Sequence, residues 1–142
     1  MKSPVIGYRI SGDDVLGILE KLTNKNFSKD HARIKLTKLY RKDGSILDEC
    51  SVVYFKSPKS FTGEDVCEVF LHGSPLIASQ FEQTLKDFKI LNLRLAKNGE
   101  FSYRSVLNSK NSLKQAKAIN SIISNDGFSS LEYNKKLLFE GD

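Results

Sequence analysis

Two cysteines, two histidines and three prolines in 142 residues leave little material for several common chemistries. Cys50 and Cys67 lie 17 residues apart with no CxxC spacing, so neither a disulfide framework nor a thiolate metal site is available. Buried small hydrophobes carried on strands are the expectation for both. His31 and His72 are 41 residues apart and no cluster of ligand types accompanies either, which argues against a metal. His31, in a charged stretch, reads as a solvated residue. No apolar run approaches the roughly 18 residues that cross a bilayer, and the opening MKSPVIGYRISG lacks a signal-peptide core. A soluble cytoplasmic chain with no membrane segment is therefore expected. There is no GxxxxGK followed by Ser or Thr, no GxSxG, no HExxH and no GxGxxG. Nucleotide hydrolysis is not expected of this chain alone.

What is present fits one ordinary domain spanning residues 1–142, 39% apolar and 27% charged, outside the compositional range of disordered chains. The net charge of +5 is unevenly spread. Residues 1–60 carry 12 Lys/Arg against 7 Asp/Glu, whereas residues 61–142 carry 10 of each. The densest stretch holds Lys21, Lys25, Lys29, Arg33, Lys35, Lys38, Arg41 and Lys42 against Asp30 alone. A phosphate-rich partner is one reading of it. A hairpin edge kept from aggregating by lysines is another.

Along the chain, VIGYRI reads as a strand. Ser11 with Asp14 forms a capping-box pattern before VLGILEKL, whose Val15, Leu16, Ile18, Leu19 and Leu22 make a helical stripe. RIKLTKLYR and ILDECSVVYF flank the turn KDGS, a hairpin signal, and VCEVFLH is a further strand. Pro75 at a first helical position opens a helix with Ile77, Phe81, Leu85 and Phe88 on one face. A short LRLA strand follows, then a brief helix at GEFSYRSVLN. Capping-box patterns at Ser112 and Ser129 predict an all-helical tail, residues 112–142 included. Together these predict an α+β fold with a mixed, largely antiparallel sheet covered by helices.

Two charges sit inside apolar strands. Alternation places Glu68 with Val66, Phe70 and His72 on one face of VCEVFLH, and Cys67, Val69 and Leu71 on the other. A Cys67–His72 nucleophile is thereby disfavoured. Arg9 is likewise the one charge of VIGYRI. Each could face water, the two could pair, or they could mark a ligand pocket. In the last case the carboxylate would receive a guanidine-like ring edge, such as a pterin's, and cations would hold the ligand's anionic end.

The segment SFTGEDVCEVFLHGSP, with RISG at 9–12, NGEF at 98–101 and SVLNSKNSLKQAKAI at 105–119, resembles the N-terminal domain of the MnmE/TrmE family of tRNA-modifying GTPases. The likeness runs over roughly residues 5–141. It implies a fold like the tetrahydrofolate-binding domain of one-carbon enzymes, binding of 5-formyl-tetrahydrofolate or a related one-carbon folate, and homodimerisation. In that family the whole protein acts with a flavoprotein partner on the wobble uridine of certain tRNAs. The family's folate contacts fall here on Arg9 of RISG, Glu68 of the GEDxxE element and Lys110 of the LNxK element. Departures are Asn98 for a proline before GEF, Ser74 for a second glycine after His72, and Tyr103 and Arg104 for a basic pair. The family's PPGxGG loop and its GTPase have no counterpart in these residues, so part of a pocket wall and independent catalysis are both expected to be missing. The resemblance thus implies a folate-binding and dimerising module, and the basic segment leaves a tRNA-binding module without folate as the alternative.

Overall fold

A computed structural model describes residues 5–108 and, for the backbone, 134–139. The element order is β1 (Val5–Ser11), α1 (Val15–Thr23), β2 (Ile34–Tyr40), β3 (Ile46–Phe55), β4 (Val66–His72), α2 (Pro75–Asp87), β5 (Leu93–Leu95), α3 (Glu100–Leu107) and β6 (Asn134–Phe139). The strands form one six-stranded sheet in the order β2-β3-β4-β1-β6-β5. Neighbours run antiparallel except β1 and β6, which are parallel. The sheet is mixed and largely antiparallel, as the strand pattern predicts.

One face of the sheet carries the core. Tyr8 and Ile10 of β1, Cys50 and Val52 of β3, and Cys67, Val69 and Leu71 of β4 bury against Ile18, Leu19 and Leu22 of α1 and Phe81 and Leu85 of α2. The helices form where the stripes predict them. Leu16, Ile77 and Phe88 flank this core half-buried. Asn24, in the left-handed region at φ 59°, closes α1 by donating its N–H to Glu20 at 2.8 Å. Burial raises the Cys50 thiol to about 12, helped by the charge of Asp48. Both cysteines are free and buried, as expected.

Three local expectations are corrected. Ser11 does not cap α1. It ends β1, and Asp14 occupies the cap position without a side-chain cap bond. The Ser11 hydroxyl is instead committed to Thr62 and Glu64, partners 51 and 53 residues away. The predicted all-helical tail fails at 134–139, which form the strand between β1 and β5. A short apolar run fits either element by local pattern, and here the open edge of β1 decides it. The helix expected from Ser112, like Lys110, lies outside the described residues. His31 is half-buried rather than simply solvated. Its Nδ1 accepts the Lys56 N–H at 2.9 Å and its ring meets Phe55 edge-on.

Candidate functional site

Antiparallel pairing of β1 with β4 puts Arg9 directly opposite Glu68. Both point away from the helical core, since Tyr8, Ile10 and Cys67 occupy the other face. Arg9 donates from Nε at 3.1 Å and from Nη2 at 3.0 Å, both to Oε2 of Glu68. The pair is well shielded: Arg9 is 7% exposed, and the side chain of Glu68 16%. Oε1 of Glu68 has no hydrogen-bond partner among the described residues. The strand anomalies thus pair with each other, and the pairing leaves one carboxylate oxygen for something else.

Two aromatic rings enclose the guanidinium. Its carbon lies 4.7 Å from the centroid of Phe61 and 5.3 Å from that of Phe101. Phe61 belongs to the SFTGED loop and Phe101 to α3, which therefore reaches Arg9 from the face opposite α1 and α2. Beside the pair opens a cleft of about 370 Å³ lined by Phe55, Lys59, Ser60, Phe61, Val66 and Glu68. This is the size range of small-molecule sites, roughly 300–1,000 Å³.

The loop that walls this cleft is tied down from three sides. Within it, Ser60 Oγ donates to the Glu64 carbonyl, Gly63 N–H donates to Ser60 Oγ at 3.0 Å, and Ser57 N–H donates to Asp65 at 2.8 Å. Gly63 turns the chain at φ 83°, a region that suits glycine. Toward β1, Ser11 Oγ shares a 2.7 Å bond with Thr62 Oγ1 and donates to Glu64 Oε1 at 2.7 Å, while Gly12 N–H donates to the Asp65 carbonyl at 3.0 Å. Toward α3, Arg104 pairs with Glu64 at 2.7 Å and Asn108 donates to the Thr62 carbonyl at 2.9 Å. RISG, SFTGED, NGEF and the Leu107–Asn108 step therefore meet in one place although they are spread over about 100 residues of sequence.

Glu100 holds the start of α3. Arg94 donates to both its oxygens, at 2.8 and 2.6 Å, and the Lys97 N–H donates at 2.9 Å. Burial works against ionising this carboxyl, but the bonds from Arg94 and Lys97 and the charges of Arg94 and Arg104 outweigh it. Its pKa falls to about 2. Sequence reasoning missed Glu64, Glu100 and Arg104 as a group. The Glu100/Arg104 spacing of four is a local signal for their pairing, whereas nothing local joins Glu64 to them.

Of the other candidates, Cys67 and His72 do lie on opposite faces, and burial pushes the Cys67 thiol further up. His72 is exposed at the end of β4, its Nδ1 2.8 Å from Asp48. No group of three or more metal-ligating side chains occurs among the described residues. Nor is any described helix long and apolar enough to cross a membrane. The basic segment divides. Lys35 pairs with Asp30 at 3.0 Å, and Arg41 braces the hairpin by donating to the Ile46 carbonyl and to Gln80. Lys21, Lys25, Lys29, Arg33, Lys38 and Lys42 stay exposed.

A family profile described as GTP-binding protein TrmE N-terminus matches residues 1–110. Among curated relatives, the tRNA modification GTPase MnmE of Helicobacter pylori (strain HPAG1) is 44% identical over 118 residues, 82% of this chain and 24% of that protein. The MnmE of Rickettsia canadensis is 40% identical over 122 residues, 86% of this chain and 27% of the relative. That of Fervidobacterium nodosum is 42% identical over 119 residues, 81% and 25% respectively. The chain thus spans about a quarter of the length of the relatives it matches. A match of this extent places the chain in the family of the TrmE N-terminus.

Proposed function

We propose that this chain is the folate-binding and dimerising module of a tRNA wobble-uridine modification GTPase. The observation that carries the reading is the shielded Arg9–Glu68 pair, of which Glu68 lines a cleft, with Oε1 of Glu68 left without a partner among the described residues. A pterin offers an amino group and ring N–H donors on one edge, and a carboxylate oxygen without a partner is the acceptor that edge requires. Arg9 already occupies Oε2 with two bonds. Its role is therefore to hold Glu68 in one rotamer while Oε1 receives the ligand. Phe55 and Phe61 supply apolar wall to a flat ring. Lys59 on the rim and Lys110, in the segment outside the described residues, are cations suited to the glutamyl carboxylates of 5-formyl-tetrahydrofolate.

In a protein the length of the MnmE relatives, such a module would present a one-carbon folate to the tRNA-modifying centre, with a flavoprotein as second partner. Titration calorimetry with 5-formyl-tetrahydrofolate tests the binding step. Wild type is expected to bind saturably, and Glu68→Gln to lose ~2–4 kcal/mol of binding, the scale for truncating one member of a buried charged contact. Wild-type-like binding by Glu68→Gln, with an unchanged melting curve, would overturn the assignment of Glu68.

A further inference from the structure

The loop 56–65 walls the cleft beside Glu68, and both of its ends are anchored by groups from other parts of the chain. At its exit, Gly12 donates its N–H to the Asp65 carbonyl at 3.0 Å. At its entry the anchor is a histidine: the Lys56 N–H donates to Nδ1 of His31 at 2.9 Å. The turn before β2 brings the ring there. His31 forms an isolated bridge with Tyr54, and Ala32, in the left-handed region at φ 59°, donates its N–H to the Tyr54 carbonyl at 2.7 Å. The imidazole then stands edge-on to Phe55, with ring centroids 6.2 Å apart and planes at 84°. Phe55, Lys59 and Ser60 all line the cleft, so His31 meets its wall where β3 passes into the loop.

A ring nitrogen that accepts a backbone N–H carries no proton of its own, so this bond exists only while the imidazole is neutral and protonated on Nε2. Adding the second proton sets N–H against N–H and leaves the Lys56 amide to water. The segments packed at the ring carry Lys29, Asp30 and Arg33 on one side and Tyr54, Lys56 and Asp65 on the other. Both carboxylates are already engaged, Asp30 by Lys35 at 3.0 Å and Asp65 by the Ser57 N–H at 2.8 Å and by the Tyr54 hydroxyl. The side chains that hold the rest of the loop from outside, Ser11, Asn108 and Arg104, do so through a hydroxyl, an amide and a guanidinium. Among these group types, imidazole is the one that changes charge between about pH 5 and 8.

We infer that His31 is a positioning residue for the cleft: its neutral ring latches the start of the loop, and its protonation releases that end and weakens ligand binding. The consequence for folate rests on the function proposed above, whereas the latch itself does not. The test follows amide hydrogen exchange of the full chain at about pH 7.5 and about pH 5.5, corrected for the intrinsic pH dependence of exchange. Calorimetry with 5-formyl-tetrahydrofolate runs beside it under the same two conditions. Protection of the Lys56 amide should fall about fivefold at the lower pH, the factor that one ordinary hydrogen bond is worth, and folate affinity should fall with it. His31→Asn, whose Oδ1 offers an acceptor near the place of Nδ1 and does not titrate, should hold both level. His31→Ala should leave the Lys56 amide unprotected under both conditions. Protection that stays level in wild type, or that falls equally in His31→Asn at an unchanged melting temperature, would overturn the latch. Affinity that stays level while the loop loosens would overturn its hold on the cleft. Absence of folate binding under either condition, with the Lys56 amide still responding to pH, would overturn the folate reading and leave the latch standing.

Discussion

Arg9 is where residue chemistry and fold meet most tightly. A guanidinium 7% exposed is tolerated because Glu68 neutralises it and two rings cover it. Removing one partner strands the other: Glu68→Ala should cost about 3–5 kcal/mol in urea unfolding. The paired apolar variant, Arg9→Met with Glu68→Leu, should stay within about 1 kcal/mol of wild type. The same variant should lose folate binding altogether, which separates the pair's part in stability from its part in recognition. Retained folate binding by that variant would refute the site. Glu100 gives a second prediction at this scale. Its carboxyl titrates near 2 when folded against 4.5 ordinarily, so its stabilising effect is complete above about pH 4.5 and fades as pH falls through 2. Glu100→Gln should therefore be less stable than wild type at pH 7, by about 1–2 kcal/mol once solvent screening is allowed for. The gap should close toward pH 2, as urea melts across that range would show.

At the scale of elements, α3 and the SFTGED loop behave as one unit. Arg104 reaches Glu64 in the loop and Glu100 one turn back on its own helix, so it ties the loop to the helix that carries Phe101. Arg104→Ala is expected to raise hydrogen exchange across residues 60–65 and to weaken folate binding, although Arg104 does not line the cleft. Arg104→Lys should restore part of the protection, because the charge returns without the fork geometry. Unchanged exchange in the loop would mean that Ser11 and Asn108 hold it without help. Helix α1 shows the same dependence on distant partners at its start. Asp14 lies over Gly17, where an added Cβ would come within 2.4 Å of its carboxylate, and Ser11 is spent on the loop.

For the whole molecule, family membership brings the expectation of self-association. Sedimentation at tens of micromolar should show twice the chain mass, and a strictly monomeric profile would count against the dimerising part of the proposal. GTP should be neither bound nor hydrolysed, because the sequence holds no phosphate-binding loop with its Lys and Ser or Thr. Phosphate release that survives repurification of the chain would contradict this.

The sequence by itself determined the elements whose signals are local. The stripe Val15–Leu22, the turn around Asp43 and Gly44, and the alternation of VCEVFLH were legible because helical, turn and strand periodicities depend only on near neighbours. The same alternation singles out Arg9 and Glu68, and the motifs by themselves point to the family. Other features depend on which strand lies beside which. That Arg9 and Glu68 are register partners, that Ser11 bonds to Thr62 and Glu64 rather than capping α1, and that Arg104 bridges to Glu64 follow from the β1–β4 pairing and the docking of α3. Residues 134–139 show the limit most plainly. Their local pattern suits a helix or a strand, and only the vacant edge of β1, more than 120 residues earlier in the chain, made them a strand. Tertiary structure decided these points because pairing energy is shared between segments that no local window contains together.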